Sequence, residues 1–181
     1  MKTFLLPFIA GCFLLISFES NSQELKGKPD SPNPNKTPSN QLDSLGMKQG
    51  LWIEKNGAVE VYYRNNLREG VYRSYSLKSK SLAVFGEYSM GKPVGKWYFF
   101  NDSGRLLFTE ENIQENNQFT RVREDGVKLM PKFCSYVKMY YPNGRLESEG
   151  WVIYDEDVQV DFFKTGTWRY YDKEGNLTMK E

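Results

Sequence analysis

The chain has 181 residues, one domain's worth, and its 24 Lys plus Arg nearly balance 23 Asp plus Glu. Such near-neutrality gives no broad pull on nucleic acid or acidic membranes, so neither is expected as an electrostatic partner. There is no histidine, which removes the side chain that titrates near neutrality, and with it most acid–base catalysis and most zinc sites.

At the start, Lys2 precedes an almost unbroken apolar run from Phe4 to Phe18, interrupted by Pro7. Fifteen helical residues at ~1.5 Å each span roughly 22 Å, short of the ~30 Å hydrocarbon core. Ser20 and Ser22 stand at −3 and −1 of a cut before Gln23. Residues 1–22 therefore read as a cleaved signal peptide, with a membrane anchor as the second reading. Ile9-Ala10-Gly11-Cys12 also resembles a bacterial lipoprotein box, and a lipid on Cys12 would be the chain's one route to a membrane. Export to the periplasm, the outer surface or the medium is expected. Cleavage leaves Cys134 as the sole cysteine, so no internal disulfide can form and its thiol reads as a small buried hydrophobe.

Residues 23–44 hold Pro29, Pro32, Pro34 and Pro38 but only two aliphatic side chains, Leu25 and Leu42. Such a stretch buries too little apolar surface to offset its ordering entropy, and it reads as a disordered linker.

From Leu45 the composition changes, and the 15% aromatic content suits pleated, half-buried strands. Tyr63 to Tyr75 aligns without a gap on Tyr88 to Phe100. The triplets Gly50-Leu51-Trp52, Gly70-Val71-Tyr72, Gly95-Lys96-Trp97 and Gly166-Thr167-Trp168 recur. A second aromatic follows the first by three places. A turn glycine comes four after that, as in Phe100 to Gly104, Tyr140 to Gly144 and Tyr171 to Gly175, with Leu106, Leu146 and Leu177 two further on. Glycine and asparagine tolerate the positive φ of hairpin turns. The pattern predicts strands over 51–55, 58–64, 70–76, 81–88, 95–100, 105–109, 133–141, 145–153, 166–172 and 176–179. The stretch 109–132 breaks the repeat, with an atypical hairpin expected about Asp125-Gly126. The expected fold is all-β, an elongated single antiparallel sheet of stacked β-hairpins over 45–181.

Period-two alternation puts Trp52, Tyr72, Trp97, Val137 and Trp168 on one face. It puts Tyr75, Phe100, Tyr140 and Tyr171 on the other. The first row reads as packing. The second is the candidate partner-binding row, because exposed rings with polar tips suit a protein partner or a glycan.

Tyr88-x-x-Gly91-Lys92-x-x-Gly95-Lys96-Trp97, with Gly104-Arg105-Leu106, resembles the MORN-repeat variant of bacterial proteins, many of them labelled YwqK-type antitoxins. The resemblance covers residues 46–107 closely and 133–179 more loosely. Asn66 stands where the pattern has glycine, Val137 stands where it has an aromatic, and the last unit lacks the leading Tyr. The resemblance implies an elongated sheet used as a binding or scaffolding surface rather than an enzyme, with an antitoxin or immunity role as an alternative.

Other chemistry is thinly represented. Asp155-Glu156-Asp157 with Asp161 lacks the spacing and central glycine of an EF-hand and reads as a solvated acidic turn. Glu110-Glu111 and Glu115 could supply a glycosidase's carboxylates, but paired acids are common on surfaces. No phosphate-cradling glycine loop occurs, because Gly91 and Gly95 precede a strand. No cofactor and no metal are expected. The expected role is a non-catalytic interaction module of the bacterial envelope, with carbohydrate binding as the alternative.

Overall fold

The computed structural model describes residues 38–155 and 162–181; residues 1–22, Cys12 and most of the Pro-rich linker lie outside them. Eleven strands form one antiparallel sheet: β1 (Gln41–Leu42), β2 (Lys48–Glu54), β3 (Val59–Arg64), β4 (Leu67–Tyr75), β5 (Leu82–Ser89), β6 (Lys92–Phe100), β7 (Leu106–Glu115), β10 (Phe133–Tyr140), β11 (Leu146–Tyr154), β12 (Phe163–Tyr171) and β13 (Leu177–Lys180). Sheet order follows chain order from β1 to β13, apart from a small separate pair, β8 (Arg121–Val122) and β9 (Lys128–Leu129). The sheet is open, with β1 and β13 at its margins. It is the all-β hairpin array that the glycine-punctuated repeat predicts.

Turn chemistry explains the hairpins. On one end of the sheet, Asn65-Asn66 and Met90-Gly91 join strands as two-residue turns, and all four residues have positive φ. That is the type I′ geometry whose twist matches the strands it joins. Asn66, at φ 66°, does there what a glycine does in the neighbouring unit.

The opposite end carries the longer turns at Asn101–Gly104, Tyr141–Gly144 and Asp172–Gly175. In each, the glycine N–H donates to the carbonyl of the turn's first residue. Asn101 Oδ1 accepts from the N–H groups of Ser103 and Arg105, and Asp172 Oδ1 from those of Glu174 and Asn176. Such side-chain bonds mimic a backbone turn.

Two boundaries differ from expectation. The sheet begins at Gln41 rather than after residue 44, because Asp43 builds a turn of the same kind. Its Oδ1 accepts from Leu45 and Met47 N–H, bringing Gln41 opposite Gln49. In addition, β7 runs to Glu115 instead of ending near Thr109. Its polar second half is held by pairing with β10, from Val137 opposite Glu110 to Phe133 opposite Glu115. Residues 116–132 then form the irregular insertion, whose β8–β9 hairpin turns about Asp125-Gly126. Phe119 packs on Trp151 with ring centroids 5.9 Å apart, and the Arg121 guanidinium lies 3.5 Å above the Phe163 ring.

The main core cluster lies on one face. Directly paired residues share a face, and the registers run Trp52–Val61–Tyr72–Gly86, then Trp97–Glu110–Val137–Gly150. Trp97, Val137 and Trp168 are buried there with Tyr88, Phe99, Phe108, Val152 and Tyr154. Trp52 and Tyr72 are half-buried. Cys134 is fully buried and has no disulfide partner among the described residues.

Candidate functional site

Two glycines absent from the repeat signature seat the tryptophans. Between the pairs Phe85–Tyr98 and Glu87–Val94, residues 95–97 of β6 face the single Gly86 of β5. Between Glu149–Arg169 and Trp151–Thr165, residues 166–168 of β12 likewise face Gly150 of β11. Gly95 and Gly166 begin these bulges with φ +68° and +63°, a conformation open to glycine at little cost. The ring that follows lies flat on the facing glycine. A Cβ on Gly86 would stand 2.1 Å from the Trp97 ring, and one on Gly150 would stand 2.6 Å from the Trp168 ring.

The other face carries the second aromatic row. Tyr75, Phe100, Tyr140 and Tyr171 each follow a register shift at the end of their strand, and each is paired with a leucine or its equivalent: Leu82, Leu106, Leu146 and Leu177. At Leu106, Leu146 and Leu177 this pairing accounts for the leucine that recurs two places after the turn glycine. The four strands β4, β6, β10 and β12 run in the same direction. Their ends therefore place the rings in one line beside the long-turn end, spaced by two strands, roughly 9.6 Å. All four are half-buried.

The three tyrosine hydroxyls are anchored on the preceding strand. Tyr75 donates to Glu60 Oε2 at 3.2 Å, and Tyr171 to Glu149 Oε1 at 2.8 Å; Tyr140 and Thr109 hydroxyls lie 3.4 Å apart. The same carboxylates pair with cations two residues earlier on the tyrosine strand. Arg73 lies 3.5 Å from Glu60, and Arg169 lies 3.7 Å from Glu149. At the centre, Glu111 is shared by Lys138 at 2.8 Å and Lys96 at 3.3 Å. The Lys138 hydrogen bond foremost, and Lys96 behind it, hold the Glu111 carboxyl below the usual range. Burial and then the Glu60 charge push the Tyr75 phenol up, and the Glu149 hydrogen bond does the same for Tyr171. The face is thus a lattice of fixed rings and alternating charges.

The acids singled out for hydrolysis are separated by strand alternation. Glu110 points into the core face, Glu111 joins the ion lattice on the other, and Glu115 is exposed at the strand end. Asp155 is exposed and accepts from Lys132 N–H; Glu156, Asp157 and Asp161 lie outside the described residues. Among the described residues, no three His, Cys, Asp or Glu side chains cluster as metal ligands. A cavity of about 630 Å³, lined by Pro93, Val94, Ile113 and Phe133 among others, opens at the short-turn end. It is far along the strands from the tyrosine line.

Sequence reasoning missed Gly86 and Gly150, though a lone mid-strand glycine signals close approach of another group. It also missed the ion lattice. The signal for that is a cation two places before the tyrosine: Arg73-Ser74-Tyr75, Lys138-Met139-Tyr140 and Arg169-Tyr170-Tyr171. Compared with known proteins, the sequence matches no family model and no curated protein.

Proposed function

We propose that this chain is a non-catalytic interaction module of the bacterial envelope that grips another protein through the face bearing Tyr75, Phe100, Tyr140 and Tyr171. The observation that carries the reading is the line of half-buried rings at regular two-strand spacing, with the tyrosine hydroxyls already tied to the sheet. Rings fixed before binding lose little further freedom when a partner arrives, and this favours affinity. The alternating Glu60, Arg73, Glu111, Lys138, Glu149 and Arg169 charges would set the register of a partner bearing the complementary order. The export signal read in residues 1–22 supports an envelope location, and the MORN-variant resemblance supports a scaffolding role.

A glycan is the second reading. The observation favouring it is that these charges are paired within the sheet, which suits an uncharged chain laid across the rings. Replacing both Tyr75 and Tyr140 by Ala tests the site. Capture of a protein from an envelope extract should fall at least roughly tenfold, the size of effect expected when buried interface aromatics are lost. The melting temperature should hold to within about 5 °C. Undiminished capture by the double variant would remove the tyrosine line from the site. Retention on a glycan array, with nothing captured from the extract, would replace the protein partner with a sugar.

A further inference from the structure

Glu110 has a buried carboxyl that the proposed interaction does not use. It lies where the two runs of regular hairpins meet, since β7 closes the first run and β10 opens the second after the 116–132 insertion. Glu110 is opposite Trp97 on one side and Val137 on the other. Its residue is 2% exposed, and its Oε1 accepts from the Ser135 hydroxyl of β10 at 2.6 Å.

Among the described residues, no cation pairs with it. On this face β5 offers Gly86 and Tyr88, and β6 offers Trp97 and Phe99. From β10 come Ser135, Val137 and Met139, and from β11 Ser148, Val152 and Tyr154. The cations of the described residues on this face are engaged elsewhere: Lys48 with Glu54 at 2.8 Å, Arg68 over the Tyr88 ring at 5.0 Å, and Lys164 over the Trp168 ring at 4.2 Å. The titratable group coupled to Glu110 is Tyr154. Its hydroxyl is buried and makes no hydrogen bond of ordinary geometry among the described residues. Glu111 points to the opposite face, and Cys134 is buried one strand position away from Ser135.

We propose that Glu110 is a proton-operated latch: its protonated carboxyl fastens the β7–β10 seam through Ser135, and loss of the proton leaves an unpaired buried charge that loosens it. An ionised carboxylate in such a site is shut away from bulk solvent and has no counter-ion among the described residues, so the charged form is the costly one. Burial raises the Glu110 carboxyl above its ordinary value of 4.5, with the Ser135 hydroxyl and then the Tyr154 hydroxyl opposing that rise. The folded chain therefore holds this proton more tightly than the unfolded chain. The contribution to stability is complete below 4.5 and is lost as pH rises through the higher folded value. The tyrosine line crosses the same seam, with Phe100 on β6, Tyr140 on β10 and the Tyr140–Thr109 contact bridging β10 and β7. Proton loss would thus disturb the spacing of the line at its centre.

The test is thermal unfolding against pH for the wild-type chain and Glu110→Gln, which keeps the shape and cannot ionise. The difference between the two should be small at pH 4 and grow with pH. By pH 8 the Gln variant should melt higher by roughly 4 °C or more. Parallel profiles, or a Gln variant destabilised equally at every pH, would overturn the latch. An infrared measurement on the wild-type chain is independent of how the variant folds. A protonated-carboxyl carbonyl band should persist above pH 4.5, and its disappearance at the ordinary carboxylate value would equally overturn it.

Discussion

Trp97 and Trp168 occupy matching seats in the two halves of the sheet, each two residues after a bulge glycine and flat against a glycine of the neighbouring strand. They differ at the indole nitrogen. The Trp168 N–H donates to the Trp151 carbonyl at 2.9 Å, whereas the buried Trp97 N–H finds no acceptor among the described residues. A third tryptophan, Trp52, faces Val61 instead of glycine and stays half-buried, with its N–H on the Gln49 carbonyl at 3.2 Å. The seat is therefore made by the facing glycine, which lets the ring sink onto the backbone. The hydrogen bond is a separate feature that one seat has and the other lacks.

The comparison can be broken hardest at the glycines. Gly86→Ala puts a methyl inside the Trp97 ring's contact distance, and Gly150→Ala does the same beneath Trp168. Each should cost about 3 kcal/mol or more in chemical denaturation, with Gly86→Ala the worse because its clash is closer. Equal tolerance of both would show that the rings move aside freely.

The next effect sharpens the difference between the seats. Trp168→Phe strands the Trp151 carbonyl, while Trp97→Phe removes an unpaired donor. The first should cost about 1 kcal/mol more than the second in the same measurement. Trp52→Ala should be milder than either alanine substitution at the buried seats, since less of its ring leaves water on folding. The smallest expected effect belongs to the second row. Tyr171→Phe removes one hydroxyl bond from a half-exposed ring, so unfolding should change by less than about 1 kcal/mol.

The hairpin array was legible because its turns have a local cause. Asn-Gly and Asp-x-x-Gly segments dictate their own backbone, and aromatic alternation follows the strand period wherever the turns fix the register. The same logic could have found β1, since Asp43-Ser44-Leu45-Gly46 repeats the form of Asp172-Lys173-Glu174-Gly175. It was hidden by a prolific run of prolines upstream, which gave the whole segment a linker's composition. The length of β7 was not legible. Apart from Ile113, Glu110 to Glu115 are polar and β-poor, and only pairing with β10, about 18 to 27 residues later in the chain, makes them a strand. The ring line on the second face followed from spacing alone. Its hydroxyl and ion-pair anchors did not, because each joins residues brought together only by strand register.

Sheet order that follows chain order has a further effect on how such a molecule can form and change. Nearly every strand meets only the strands just before and after it, so closing each contact brings together short loops and little entropy is lost per step. Assembly can begin at any hairpin and spread outward like a zip, and a hairpin added at the β13 end would leave every existing pairing in place. The 116–132 insertion is the one place where that zip must jump a longer gap, so the halves on either side are the natural units of partial unfolding.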